Sequence, residues 1–299
     1  GLQAAYRGIS HKGPVCAMKI ISAFLFLFLL AINSADAKTL LYVTHESLGE
    51  VRVYDADSEK IIRKIAVKGT PYHLAILPDK KGIAVSLKGE SADYIRIIDA
   101  ASGKLKQTPS IIVGRYRRTG EVYLQFNNDG KKLYAIDDNM NYVDIIETGK
   151  WKLAKRVMLG AEPKNGALTH DGKTIMIPNL NSGDIAFFDT SREKIFSSIK
   201  IDGQPSAVSV SRDGKTLYIA DKKKSQLLFA NPQNGKVFGS AVVGNDPVNM
   251  LLSSDGLSIY VANFSSNSLT VVNTRDMEGA ANIAVGIRPL GMAVDDKTG

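Results

Sequence analysis

The chain has 299 residues, with 38 Lys and Arg against 30 Asp and Glu for a formal net charge of +8, 44% hydrophobic residues, 4 His and one Cys. That apolar content, with only 23% charged residues, excludes intrinsic disorder and allows a large core. The lone thiol is Cys16, so everything downstream of it is barred from disulfides, Cys-ligated zinc, iron–sulfur clusters, a Cys nucleophile and covalent c-type haem.

Residues 1–17 contain no Met and read as sequence upstream of the true start. Met18-Lys19 then opens a 13-residue run, Ile20 to Ile32, that is apolar except for Ser22. Asn33-Ser34 and the small-residue triplet Ala35-Asp36-Ala37 follow. A basic start, a short apolar stretch and an Ala-x-Ala end are the parts of a secretory signal peptide, so 18–37 is expected to be removed after Ala37. The apolar run is well short of the roughly 20 residues of a membrane span, so no span is expected after cleavage. Loss of 1–37 removes Arg7, Lys12, Lys19 and Asp36 and leaves +6. The expected location is the periplasm, the secreted medium or the cell surface.

From residue 38 to 299 a repeat organises the chain. Asn128-Asp129-Gly130-Lys131, His170-Asp171-Gly172-Lys173, Arg212-Asp213-Gly214-Lys215 and Ser254-Asp255-Gly256-Leu257 place their aspartates 42 residues apart. Asp79-Lys80-Lys81-Gly82 and Asp296-Lys297-Thr298-Gly299 are degenerate copies on either side. Each turn precedes a short apolar run such as Leu133-Tyr134-Ala135, Leu217-Tyr218-Ile219 or Ile259-Tyr260-Val261. Within a unit the pattern has period 2, and Asp-Gly supplies the positive φ of a tight hairpin. Four antiparallel strands in about 42 residues make one propeller blade. The fold class is therefore all-β, a β-propeller of four-stranded blades with six repeat units visible, or seven if the chain continues. If the strand after each Pro is the innermost, strands from both ends of 38–299 complete one blade, which removes exposed edges.

The segments Leu41-Tyr42-Val43-Thr44 and Ile259-Tyr260-Val261-Ala262-Asn263, with Val243-Gly244, Val285-Gly286 and Ser211-Arg212-Asp213-Gly214-Lys215, resemble the YVTN-type β-propeller repeats of exported bacterial and archaeal proteins. The resemblance spans about 39–299 and departs from the pattern at Ile175-Met176-Ile177-Pro178. It implies a superfamily that includes surface-layer proteins, propellers accompanying quinoprotein pathways and the haem-binding propeller of dihaem nitrite reductases. Its motifs specify the fold and leave the function open.

Past residue 37 only His45, His73 and His170 remain, too few for an obvious catalytic constellation, and no catalytic or metal-ligating set is assigned. His73 lies two residues after Pro71, and the equivalent positions are Tyr123, Asn165, Ala207, Asn249 and Gly291. In a propeller these six rim one mouth of the central channel, so His73, Tyr123, Asn165 and Asn249 are candidates for a small polar ligand. The second unit is 50 residues long, and its insertion Arg115-Tyr116-Arg117-Arg118 falls at the same mouth. Three arginines and a tyrosine suit a small anionic ligand or an acidic face of an envelope protein. Lys222-Lys223-Lys224 and Asp137-Asp138 read as solvated turn residues. Nucleic acid is disfavoured by the modest charge, and no P-loop, dinucleotide fingerprint, Gly-x-Ser-x-Gly or His-Glu-x-x-His occurs. The expected function is an exported binding or interaction scaffold without a cofactor. The alternative is a periplasmic redox propeller holding a non-covalent haem or serving a quinoprotein system.

Overall fold

The computed structural model describes residues 29–33, 39–55, 58, 60–89, 92–106, 111–115 and 120–292. They form six four-stranded antiparallel sheets. The first holds β1 (Leu29–Asn33), β2 (Thr39–His45), β3 (Glu50–Asp55) and β4 (Ile61–Ala66). The second holds β5 (Thr70–Ile76), β6 (Gly82–Lys88), β7 (Ala92–Asp99) and β8 (Ile111–Arg115). The third comprises β9 (Val122–Phe126), β10 (Lys132–Asp137), β11 (Tyr142–Glu147) and β12 (Lys152–Met158). The fourth comprises β13 (Ala167–Leu168), β14 (Thr174–Asn179), β15 (Asp184–Asp189) and β16 (Lys194–Lys200). The fifth runs through β17 (Pro205–Val210), β18 (Leu217–Asp221), β19 (Gln226–Ala230) and β20 (Val237–Val242). The sixth runs through β21 (Pro247–Leu252), β22 (Ser258–Asn263), β23 (Ser268–Asn273) and β24 (Gly279–Ala284). This is the six-bladed β-propeller that the repeat predicts.

The first strands of successive sheets are neighbours, β1 with β5 and β5 with β9 on one side and β17 with β21 on the other, so they are innermost, as the register implied. Second and third strands are buried on both faces, which is why Leu133-Tyr134-Ala135-Ile136 and Leu217-Tyr218-Ile219-Ala220 are continuous apolar runs. Fourth strands form the rim and are mostly exposed, with Lys152, Lys155 and Arg156 on β12 and Lys194 and Lys200 on β16. Such charges keep an open strand edge from recruiting other chains.

The Asp-Gly signals join first to second strands. Gly130, Gly172, Gly214 and Gly256 lie at φ +70 to +74°, and Asp129 Oδ1 accepts the Lys131 N–H at 2.9 Å, with counterparts at Asp171, Asp213 and Asp255. The hydroxyls of Thr169, Ser211 and Ser253 hold Asp171, Asp213 and Asp255 below the usual range, with the backbone donors adding to them, and at Asp129 the Lys131 N–H is the main cause. The left-handed positions Asn141, Gly183, Ser225 and Asn267 recur at the same 42-residue interval, so even the turns without a sequence signature obey the repeat.

One closure differs from the sequence reading. The innermost strand of the first sheet is β1, paired from Leu29↔Val43 to Asn33↔Thr39; after Pro289, residues 290–292 carry no strand, and the rest of the segment expected to close the blade, 293–299, lies outside the described residues. An apolar run five residues upstream of β2 closes a hairpin at small loop-entropy cost, less than a partner some 250 residues away.

Candidate functional site

A cavity of about 290 Å³ opens at one mouth of the channel, lined from sheets two to six. Two recurring backbone positions shape its rim. The N–H of the residue that follows each second strand donates to the carbonyl just before the innermost strand: Asp138 to Glu121 at 3.1 Å, Leu180 to Glu162 at 2.9 Å, Lys222 to Gln204 at 2.9 Å and Phe264 to Asp246 at 2.8 Å. Glu162 and Asp246 adopt left-handed φ of 55° and 58°. In the third sheet Val122↔Asp137 and Tyr123↔Ile136 pair without the bulge found at Pro205/Ala207 and Pro247/Asn249. That missing bulge puts Glu121 where its counterparts stand one residue earlier relative to the Pro.

The side chains at these positions are charged. Lys164 Nζ lies 2.8 Å from Glu162, 3.1 Å from Asp138 and 4.0 Å from Glu121. Lys222 Nζ lies 3.1 Å from Asp246. At the neighbouring blade Lys88 Nζ sits 3.2 Å from Glu46 and 4.5 Å from the centre of the Tyr72 ring. Burial pushes the Asp138 carboxyl up to about 6, opposed by Lys164 and reinforced by Glu121. The carboxylates around Lys164, together with its hydrogen bond to Glu162, outweigh burial and hold its ammonium above the usual range.

Tyr123 donates to Glu121 Oε2 at 2.8 Å, and its hydroxyl is 3.4 Å from that of Tyr72, with the two rings edge to face at 5.7 Å. Burial raises both phenols well above their usual range, so they stay protonated.

Of the residues singled out from the sequence, Tyr123, Asn165 and Asn249 line the cavity together. His73 does not: it is 5% exposed between sheets two and three, where its Nδ1 accepts the Leu124 N–H at 3.3 Å. Burial lowers its pKa to about 3, so the ring is neutral. Its role there matches that of Asn249, whose Nδ2 donates to the Leu290 carbonyl at 2.8 Å: both tie one innermost strand to the next segment round the ring. Tyr72, the residue before His73, faces the cavity instead. Tyr116, Arg117 and Arg118 lie outside the described residues; Arg115 ends β8, paired with Ala92, and its side chain is also outside them. Lys222, read from sequence as a solvated turn residue, lines the cavity, and Asp138 belongs to the Lys164 cluster.

The donor set does not fit a haem with a histidine axial ligand. His73 is committed to Leu124, His45 is buried with Nε2 3.4 Å from the Tyr54 hydroxyl, His170 is exposed in a turn, and none of them lines the cavity. Among the described residues no group of three or more His, Cys, Asp or Glu is arranged to hold a metal ion, and no helix is long and apolar enough to cross a membrane.

The fold places the chain in the β-propeller class. Among solved structures it is similar to one titled hydrazine synthase from Kuenenia stuttgartiensis, with a TM-score of 0.75 and 17% identity over 90% of each chain. It is also similar to a functionally unknown protein from Desulfotomaculum acetoxidans DSM 771, with a TM-score of 0.73 and 16% identity over 91% of this chain and 90% of that one. No family model and no curated protein sequence matches. At these identities the likeness is one of fold.

Proposed function

We propose that this protein is an exported YVTN-like scaffold of the periplasm or cell surface, holding a small polar ligand, or one side chain of an envelope partner, at the channel mouth. The observation that carries the reading is the cavity itself, where Tyr123, Asn165 and Asn249 converge with Tyr72, Ser206 and Phe264 from five blades. A concave, partly aromatic pocket with a few convergent polar groups is the usual form of a ligand site. Its volume of about 290 Å³ lies at the small end of such pockets, which limits the occupant to a small molecule or a single side chain. The basic, apolar and small-residue order of Met18 to Ala37 supports export.

Two measurements test the reading. N-terminal sequencing of protein recovered from the envelope fraction is expected to begin at Lys38, in which case β1 is absent from the mature protein; retention of Met18 overturns cleavage. Native mass spectrometry of the same protein is expected to find a bound small mass that disappears in Asn249→Phe and Asn165→Phe, which fill the cavity. A bound mass that survives both substitutions places the site elsewhere.

A further inference from the structure

We infer that the mouth binds an uncharged, hydroxyl-rich molecule, a small polyol or monosaccharide, rather than an ion of either sign. The inference rests on the cavity being the binding site and adds the chemical class of its occupant. Four ionic side chains line the cavity and they cancel, Glu121 and Asp246 against Lys164 and Lys222. They also cancel locally. Lys222 Nζ stands 3.1 Å from Asp246, and Lys164 Nζ stands 4.0 Å from Glu121 and closer still to Glu162 and Asp138. The Tyr72 and Phe264 rings that border the cavity are occupied as well, Tyr72 by Lys88 Nζ at 4.5 Å and Phe264 by the Arg288 guanidinium at 5.4 Å. An ion entering here gives up water and meets neither an unmatched counter-charge nor an open ring, which is the unfavourable way to bury a charge. An uncharged polar group loses far less on leaving water. The anionic ligand expected from the sequence drew on the Arg115–Arg118 insertion; the cavity's own lining is balanced.

What the lining does offer is hydrogen bonds. Among the described residues nothing engages the side-chain amide of Asn165, which is half-buried at the sheet-four side of the cavity. Asn249, on sheet six, uses one of its two amide N–H groups on the Leu290 carbonyl and keeps the other. The two ion pairs retain ammonium N–H groups and carboxylate lone pairs for a further partner. A hydroxyl is the uncharged group that donates and accepts through one atom, so it can bridge an ammonium and a carboxylate 3.1 to 4.0 Å apart. Two carboxamides and two ion pairs, spread over sheets three to six, therefore match several hydroxyls directed outward from one small body. Leu180, Val248 and Leu290 supply apolar surface for its C–H groups.

The hydroxyls can belong to a free sugar or polyol or to the terminal sugar of an envelope glycan. Saturation-transfer NMR of the exported protein with glucose, galactose, mannose and myo-inositol, with the methyl glycosides of the sugars, and with agmatine and citrate separates the cases. Saturable binding of at least one uncharged probe, unchanged by salt from about 0.05 to 0.5 M, and none of agmatine or citrate, is the expected result. A tighter free sugar or inositol identifies a free ligand as the source; a tighter methyl glycoside identifies a glycan terminus. Asn165→Ala is expected to weaken the uncharged probe about fivefold, the effect of one hydrogen bond. Lys222→Met leaves Asp246 unmatched and is expected to admit agmatine, and Asp246→Asn leaves Lys222 unmatched and is expected to admit citrate, gains that loss of fold cannot mimic. Agmatine or citrate binding to the wild type that is lost in Asn249→Phe overturns the uncharged class while leaving the cavity as the site. Sugar binding that survives Asn249→Phe overturns the cavity as its site. If no probe binds, a native mass that is lost in Asn249→Phe overturns the class alone, and the lack of such a mass overturns the class and the cavity together.

Discussion

The third and fifth sheets are two copies of one motif, and they agree in their apolar interior while differing in charge at the mouth and on the outer strands. Leu133 and Tyr134 of β10 correspond to Leu217 and Tyr218 of β18, all four buried, and each tyrosine meets a phenylalanine edge to face at 5.5 Å. The third sheet carries Asp138 at the mouth and Asp144 and Arg156 on its outer two strands, where the fifth has Lys222, Leu228 and Ser240. The apolar skeleton is thus shared and the charge is individual. A repeat protein builds its fold from positions that every unit must fill alike, because each unit buries its faces against its neighbours. Its site comes from positions released from that demand.

The sharpest way to break the equivalence is to cut into the shared skeleton. Leu133 and Leu217 are fully buried in equivalent places, so Leu133→Ala and Leu217→Ala are each expected to cost about 2–5 kcal/mol, and by similar amounts. Urea unfolding of both variants checks this. A twofold or greater disparity shows that the two copies do not share one packing. As a rim control, Phe238→Ser on β20, 52% exposed, is expected to change stability by no more than about 0.5 kcal/mol.

A smaller effect is expected where the copies diverge. Arg156 Nε and Nη2 bind Asp144 Oδ1 and Oδ2 at 2.6 and 2.7 Å, and the guanidinium stacks 3.6 Å from the centre of the Tyr142 ring. The Asp144 side chain is wholly buried and that of Arg156 is 39% exposed. Arg156→Ala therefore strands a buried carboxylate, at a cost of about 3 kcal/mol, the low end for such pairs because Arg156 keeps some solvent. Ser240→Ala, at the equivalent place, is expected to be near neutral. Thermal melts compare the two, and equal Tm values refute the claim that the third sheet depends on its added charge pair.

What the sequence discloses follows the same division. The Asp-Gly turns, the apolar second strands and the interval of 42 residues specify blade, strand order and innermost strand, because each rests on backbone conformation or burial that recurs. Tyr123, Asn165 and Asn249 were recoverable as cavity residues from their offset after the Pro. Glu162 and Asp246 share the position just before Pro163 and Pro247, so the same register carried a signal for them that counting from the Pro forwards passed over. Other features do not lie in any repeat. Lys164 gathers three carboxylates through the reach of a long side chain, Glu121 enters the rim through a missing bulge, and His73 is diverted to a neighbouring backbone amide. Each is a tertiary choice among orientations that the period permits equally. The pairing of Leu29–Asn33 with β2 is of this kind too: the apolar run expected from the sequence to be an export signal is paired as an innermost strand.

The smallest effect expected is one of pH, and it distinguishes the mouth charge from the buried ring behind it. Asp138 has its carboxyl raised to about 6 in the folded protein, above the ordinary 3.8. Its contribution to stability is therefore fully present below about pH 4 and is lost as pH rises through 6, since the folded state holds the proton more tightly. Asp138→Asn keeps an acceptor for the Glu121 N–H, now at 2.7 Å, and removes the titration. Relative to wild type it is expected to gain on the order of 1 kcal/mol between pH 4 and pH 7.5. His73 runs oppositely: its folded pKa of about 3 lies below the usual 6.5, so its contribution is present above 6.5 and is lost as pH falls towards 3. His73→Gln is then expected to flatten the acid side of the stability curve while Asp138→Asn flattens the neutral side. Chemical denaturation at half-unit steps from pH 4 to 8 resolves the two. A curve for Asp138→Asn parallel to wild type throughout refutes a carboxyl raised by burial at the mouth.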